Sequence, residues 1–497
     1  MAFEPVTLDW NKGDVPILVT LNSMRGLYRV NAQGKVERDL VNHESTSDGG
    51  KTWKFELRSD VAWSDGVPLT AEHAAASLRR LLDPDTASTY AYFLYDIKGA
   101  RAFSQGKEKE NLGVRVTSEL SFEVQLEKPI IHFSKILSHW VTFPVRPDLI
   151  AKWKDYGTNP AHMATLGPYM IKDWQHDIRI VLVPNPKSET QPWFQRVEAW
   201  TLPDDNTAIN LYKTGHLELM TDPGQAGKNS SDLSNIASPI LYFLAVAPGH
   251  PLTESREGVL ALSAALDRSE IPQALSAPHR PTLEFCPPEL WETAGGAPEE
   301  THLETISLKG TPALGRKLLR DAGFDSPAKI PPLTLKYFNR PVIKELAEWL
   351  QAQWKRNLGI RVSLEGFDPK MYWTLLERDI SPPLFINSKG ASYPDPDAFF
   401  RLFTSDSEQN LGHWKDTDYD HWVDEAASLP DAKARQAMYV HASRRLLIER
   451  PGIIPLYFRS TEFLIKPFVR GVVINPLTGV DLSTAFYEMP DNQRVAK

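Results

Sequence analysis

Residues 51–77 read KTWKFELRSDVAWSDGVPLTAEHAAAS, and three local signals follow one another along them. Trp53, Phe55 and Leu57 alternate with Lys54, Glu56 and Arg58, the pattern of a strand with one buried face. Asp65-Gly66 marks a tight turn. Thr70, three residues before His73, is placed to cap an alanine-rich helix predicted over 70–82. None of these elements is chemistry; they describe a scaffold.

Outward from this stretch, the composition narrows the class. At 497 residues the chain exceeds one ordinary core, so two or three domains are expected. Hydrophobic residues at 42% and charged residues at 24% mark a globular chain. A net charge of -8, with no basic tract or zinc-finger spacing, argues against nucleic acid as a partner. Aromatic residues can line a ligand cleft, although in a large protein most of them fill cores. The one cysteine, Cys286 in FCPPEL, excludes an intrachain disulfide and a cluster of cysteine metal ligands. No run of 18 apolar residues suits a membrane-spanning helix. The start MAFEPVTLDW lacks a basic segment followed by an apolar run, so no signal peptide is read in it. The chain is read either as cytoplasmic or as a mature form whose leader has been replaced by Met.

Further elements follow from period and punctuation. Residues 17–31 lead into a hairpin, and 121–127, 178–186 and 333–338 read as strands. NTAINLYKTGHLELM predicts a helix stopping at Gly215 and then a strand. ILYFLAVAP (240–248) is a continuous apolar strand of the kind covered on both faces. LGRKLLRDAGF (314–324) is a helix with a glycine stop. Residues 342–359 form an amphipathic helix, with Ile343, Leu346, Leu350 and Trp354 at spacings of three and four. IRVSLE follows it, so strand, helix and strand make a right-handed α/β unit.

A search for catalytic chemistry finds none: no HExxH, GxSxG, phosphate-loop or dinucleotide glycine pattern. His132 and His139, seven apart, and His162 would need a third ligand to hold a metal, and ordinary hydrogen-bonded histidines account for them as well. Asp395 and Asp397 in YPDPD resemble paired carboxylates, but their alternation with proline points to a turn whose carboxylates cap backbone N–H groups. No catalytic residue, metal site or cofactor is expected.

Markers recur in order along the chain: Glu4, Pro5, Thr7, Leu8 and Asp9, then the 51–77 stretch, GPY at 167–169, VPNP, ALDRSEI at 265–271, LLRDAGF, LGIRVSL, YPDPDAFF at 393–400 and IIPLYFRS at 453–460. Together they resemble the family-5 extracytoplasmic solute-binding proteins, the oligopeptide and dipeptide receptors of ABC importers. The resemblance implies an α/β, two-lobed periplasmic-binding-protein fold (type II, cluster C) with an extra inserted domain. The first lobe would comprise 1–38, 165–238 and 471–497, the inserted domain 39–164, and the second lobe 239–470. It further implies a monomer, periplasmic or extracellular-facing and open to lipid anchoring before processing, that captures peptides or peptide-like solutes by lobe closure and delivers them to a membrane permease. Anionic small molecules, sugars and nickel complexes are the alternative solutes, His413 beside Trp414 keeping the metal option open. A cytoplasmic ligand sensor and a hydrolase are remoter readings.

The ligand expectation centres on 385–400, FINSKGASYPDPDAFF, where an apolar strand runs into a Gly/Ser/Pro turn. In peptide-binding relatives an aspartate two places after the residue matching Gly390 anchors the peptide's amino group. Here Ser392 occupies that place, beside Tyr393, and a neutral hydroxyl cannot neutralise an ammonium in a desolvated cleft. Lys389 stands where relatives often carry an aromatic residue. With both facing the ligand, the local charge balance is reversed toward anionic or neutral solutes. A shifted register would pass the anchor role to Asp395, and an exposed Lys389 with Ser392 merely shaping the turn is the plainer alternative. The same resemblance adds Asn387, the loop residues Met24, Arg25 and Gly26, Tyr242 and Phe243 on the second lobe's first strand, and Trp414. Arg25 would either grip a carboxylate in a fork or form a salt bridge within its lobe. By alternation, one of Tyr242 and Phe243 must point into the core.

Overall fold

The computed structural model describes residues 4–13, 15–107, 111–298, 306–377, 381–475 and 477–488. The chain divides into two compact units, Met1–Ser234 with Ser392–Pro394 and Glu462–Lys497, and Asn235–Ala391 with Asp395–Thr461. The stretch 39–164, expected as an inserted domain, falls within the first unit and contributes a sheet of its own.

In the first unit, helix α1 (Ile17–Ser23) precedes strands β1 (Val41–Ser47) and β2 (Thr52–Leu57), helix α2 (Ala71–Leu82), and strands β3 (Val114–Val116) and β4 (Ser121–Gln125). The strands form an antiparallel sheet in the order β1-β2-β4-β3. Trp53, Phe55 and Leu57 are buried, as their alternation predicts, and Phe55 stacks on Phe122 at 4.9 Å. Helix α2 starts at Thr70, whose backbone N–H donates to Nδ1 of His73 at 3.0 Å. The indole N–H of Trp63 donates to the same nitrogen at 3.3 Å. Two donors on one ring nitrogen require the neutral imidazole. Burial, helped by the Arg146 charge, pushes the His73 pKa down to about 4.

A second sheet in this unit comprises β5 (Tyr169–Gln175), β6 (Arg179–Pro184) and β7 (Val197–Trp200). The first described residues are pinned here and to α2. Glu4 accepts the indole N–H of Trp174 at 2.8 Å, and Arg80 grips both oxygens of the buried Asp9 at 2.6 Å. Gly167 of the GPY marker lies against the end of α1: a Cβ there would sit 2.6–2.7 Å from backbone atoms of Ser23 and Met24. That contact admits only glycine. Strand β8 (Leu219–Thr221) completes this part of the chain.

The second unit is built on β9 (Leu233–Val246), α3 (Arg256–Ala264), β10 (Leu333–Phe338), α4 (Pro341–Leu358), β11 (Val362–Phe367), α5 (Pro369–Leu376), β12 (Leu384–Gly390), α6 (Ala432–Arg444) and β13 (Ile453–Ile465). Its sheet order is β13-β9-β12-β10-β11, with a short strand at Arg280–Pro281 on β13. Strand β8 pairs with the end of β13 that belongs to the first unit. Ile343, Leu346, Leu350 and Trp354 of α4 are all buried, and the Trp354 indole donates to the Leu262 carbonyl at 3.0 Å. Gly359 then ends the helix at φ 74°, the left-handed conformation that glycine adopts without a Cβ penalty.

Strands β10, β11 and β12 are parallel. From β10 the chain goes by α4 to β11 on one side, then by α5 to β12 on the other. The direction of winding therefore reverses around β10.

Candidate ligand-binding site

In open α/β sheets such a reversal leaves a crevice at the carboxyl ends of the strands, where ligands settle. Strand β12 ends there, in Asn387, Ser388, Lys389 and Gly390. It pairs antiparallel with β9, so that Leu241 lies opposite Lys389, Tyr242 opposite Ser388, and Phe243 opposite Asn387. Alternation puts Lys389 and Asn387 on the face of Leu241 and Phe243. Phe243 is buried, edge-on to Phe403 at 5.7 Å, so it is the core member of the Tyr242–Phe243 pair. Asn387 is buried too, its side-chain oxygen accepting the Ser388 N–H at 2.8 Å. Tyr242 stacks on Tyr457 at 4.9 Å, and His279 lies on Tyr457 at 4.6 Å.

Lys389 is half-buried, and its ammonium donates to the side-chain oxygen of Gln409 at 2.7 Å. Burial pushes its pKa down from 10.5 to about 8. Asp395 has another occupation. It is fully buried, Arg435 grips both its oxygens, one of them at 2.9 Å, and Oδ1 also accepts the Asp397 N–H at 3.0 Å. The pair holds the turn after β12 to helix α6 and engages both oxygens of that carboxylate inside the protein.

Trp414 stands elsewhere in the second unit. It packs against Gly452, and its indole N–H donates to the Arg450 carbonyl at 2.8 Å. Gly452 is bonded to Val246, and Val246 pairs with Leu384 at the amino end of β12. Five residues of ladder, roughly 17 Å, separate that level from Lys389. There Trp414, with His413, Arg256 and Arg450, lines a separate groove of about 430 Å³. Among the described residues no group of three His, Cys, Asp or Glu side chains is arranged to hold a metal ion.

The remaining expected residues belong to the first unit. Arg25 forms an ion pair with Asp39 and reaches Glu189 at 3.2 Å, the salt bridge within its lobe rather than a free fork. Met24 is buried at the end of α1, and a Cβ on Gly26 would run into the Phe143 ring. Ser392 is half-buried. Tyr393 is buried, stacked on His132 at 6.0 Å and edge-on to Phe93 at 6.2 Å. His139 lies in the same aromatic cluster, where burial pushes its pKa down to about 3.

Four residues of these arrangements were not foreseen: Gln409, Arg435, Tyr457 and His279. Tyr457 lies inside the IIPLYFRS marker, which offered a signal. Gln409 and Arg435 sit in polar surroundings that read as solvated surface, and nothing local distinguishes them.

A family model, "Bacterial extracellular solute-binding proteins, family 5 Middle", matches residues 35–410. The probable deoxycholate-binding periplasmic protein YgiS of Escherichia coli (strain K12) is 30% identical over 483 residues, covering 94% of this chain and 89% of that protein. The periplasmic oligopeptide-binding protein OppA of Salmonella typhimurium is 30% identical over 439 residues, 85% of this chain and 79% of that one. The solved structure of the Escherichia coli murein tripeptide binding protein MppA superposes with a TM-score of 0.83 at 27% identity, covering 98% of this chain and 97% of that one.

Proposed function

The chain belongs to the family-5 bacterial extracellular solute-binding proteins, non-catalytic receptors of ABC importers with an α/β two-lobed fold, and on that basis we propose that it captures peptides or peptide-like solutes. In this reading it works as a periplasmic monomer, closes its two lobes over the solute and delivers it to a membrane permease. Residues 39–164 act as a subdomain of the first lobe. The observation that carries the reading is the end-to-end likeness to the murein tripeptide receptor, supported by the oligopeptide-binding relative.

A second reading, a non-peptide anionic solute, is favoured by Lys389 together with Ser392. It is also supported by the relative described as a probable deoxycholate-binding protein. Native mass spectrometry of protein purified without refolding, followed by denaturation and identification of what is released, tests both. A retained series of peptides supports the first reading. A single amphipathic acid supports the second, and a sugar or metal complex would overturn both.

A further inference from the structure

Lys389 is a shielded cation whose charge no described residue balances. Its one hydrogen bond goes to Gln409, a neutral amide, and among the described residues no carboxylate lies within ion-pair distance of it. Other shielded cations of this chain have more partners: Arg268, fully buried, donates to the carbonyls of Ser263 and Pro455 and to the Ser263 hydroxyl. Arg80 is paired with Asp9, Arg146 with Asp65 and Asp148, and Arg435 with Asp395, each at about hydrogen-bond distance. Lys228 is paired with Glu462 in the same way. Removing a cation from water is costly unless anions or several oxygen acceptors replace the water, and Lys389, with one amide acceptor, gains that compensation only when an anion arrives from outside.

The place supports that reading. Lys389 is the penultimate residue of β12, at the carboxyl end of a parallel strand beside the reversal around β10. Its stem lies on the side of the buried Leu241 and Phe243, while the ammonium is held by Gln409. A lysine so braced has two N–H donors left. Two donors on a single positive charge match a carboxylate, whereas a phosphate dianion would call for more charge and more donors.

We infer that Lys389 anchors a carboxylate carried by the solute, with Gln409 holding the ammonium in place. This rests on the reading of the chain as a solute receptor and names the solute's head group. A peptide's terminal carboxylate and the carboxylate of an amphipathic acid share this chemistry.

The test is calorimetric titration at pH 7 with three probes: N-acetyl-trialanine, which has a carboxylate and no ammonium; trialanine amide, which has the reverse; and sodium deoxycholate. At least one carboxylate probe should bind ten-fold or more tightly than trialanine amide, and which one identifies the source. Lys389→Met should weaken that probe 10- to 100-fold and leave trialanine amide unchanged. Lys389→Arg should restore most of the loss, which separates a charge effect from damage to the fold. If trialanine amide binds as tightly as the carboxylate probes, or Lys389→Met binds like the parent, the anchor is overturned and the receptor stands. If no probe binds, the peptide and amphipathic-acid readings fall, and the anchor with them.

Discussion

At the scale of single residues, the polar side chains around β12 divide into one charge that is compensated and one that is not. Asp395 and Arg435 satisfy each other in the core, so removing either leaves a buried ion alone. Asp395→Ala should cost about 3–5 kcal/mol in thermal or urea unfolding, and replacing both residues by apolar ones of similar volume should recover most of it. Lys389 should behave in the opposite sense. Its pKa is lower in the folded protein, about 8 against 10.5, so the unfolded chain holds this proton between those values and the folded chain does not. Stability due to this group is therefore lowest below pH 8 and rises as pH increases toward 10.5. Lys389→Met should raise the solute-free protein's stability at pH 7 by at most about 3 kcal/mol and abolish the rise. Melting temperatures of parent and variant at pH 7.5 and 9.5 check this. No charged group of the described residues bonds to Lys389; Tyr242 on β9 and Glu408 beside Gln409 are the nearest titratable residues along the elements that hold it.

At the scale of elements, α2 shows how a helix start becomes a pH-sensitive joint. The Thr70 and Trp63 N–H groups both need His73 unprotonated. The folded pKa of about 4 lies below the ordinary 6.5, so the unfolded chain takes the proton first. The stabilisation is complete above about pH 6.5 and is lost as pH falls toward 4, by about 3 kcal/mol. His73→Gln keeps an acceptor without a titrating nitrogen, so its unfolding temperature should fall less than the parent's between pH 7 and 4.5. Elements were also the scale at which the sequence was most readable. The stripe on α4, the glycine stop at Gly359 and the alternation of β2 are local periodicities, and each residue they assign to the core is buried. The order of strands was not readable, because an apolar run such as β9 announces a strand without naming its neighbours. The same reason explains the site. Lys389 stood out because its own segment was unusual, whereas Gln409 reaches it across 20 residues and Arg435 reaches Asp395 across 40. Trp414 drew notice through the family resemblance, as a residue following the loop after β12, yet a hydrogen bond to Arg450 fixes it at the other end of the strand.

At the scale of the whole molecule, the single cysteine provides a probe of one unit. Cys286 is buried in the second unit's core, and burial pushes its thiol pKa well up. A thiol so shielded reacts only when the core around it opens. Iodoacetamide should therefore modify Cys286 at a rate that follows unfolding of Asn235–Thr461 and slows when a solute is bound. Labelling of native protein as fast as a free thiol would contradict the packing. The four passages of the chain between the units also impose an order on folding. The core of the first unit draws on Leu8 and Val19 from one end of the chain and on Val480, Leu482 and Ala485 from the other. The buried Asn22 is bonded to both Val480 and Leu482. Domains usually fold in the order in which they are synthesised. Here the unit that begins first must finish last: the sheet of β1 to β4 can close on its own strands, but the core around Leu8, Val19 and β5 to β6 waits for partners that are synthesised only after the whole second unit has passed.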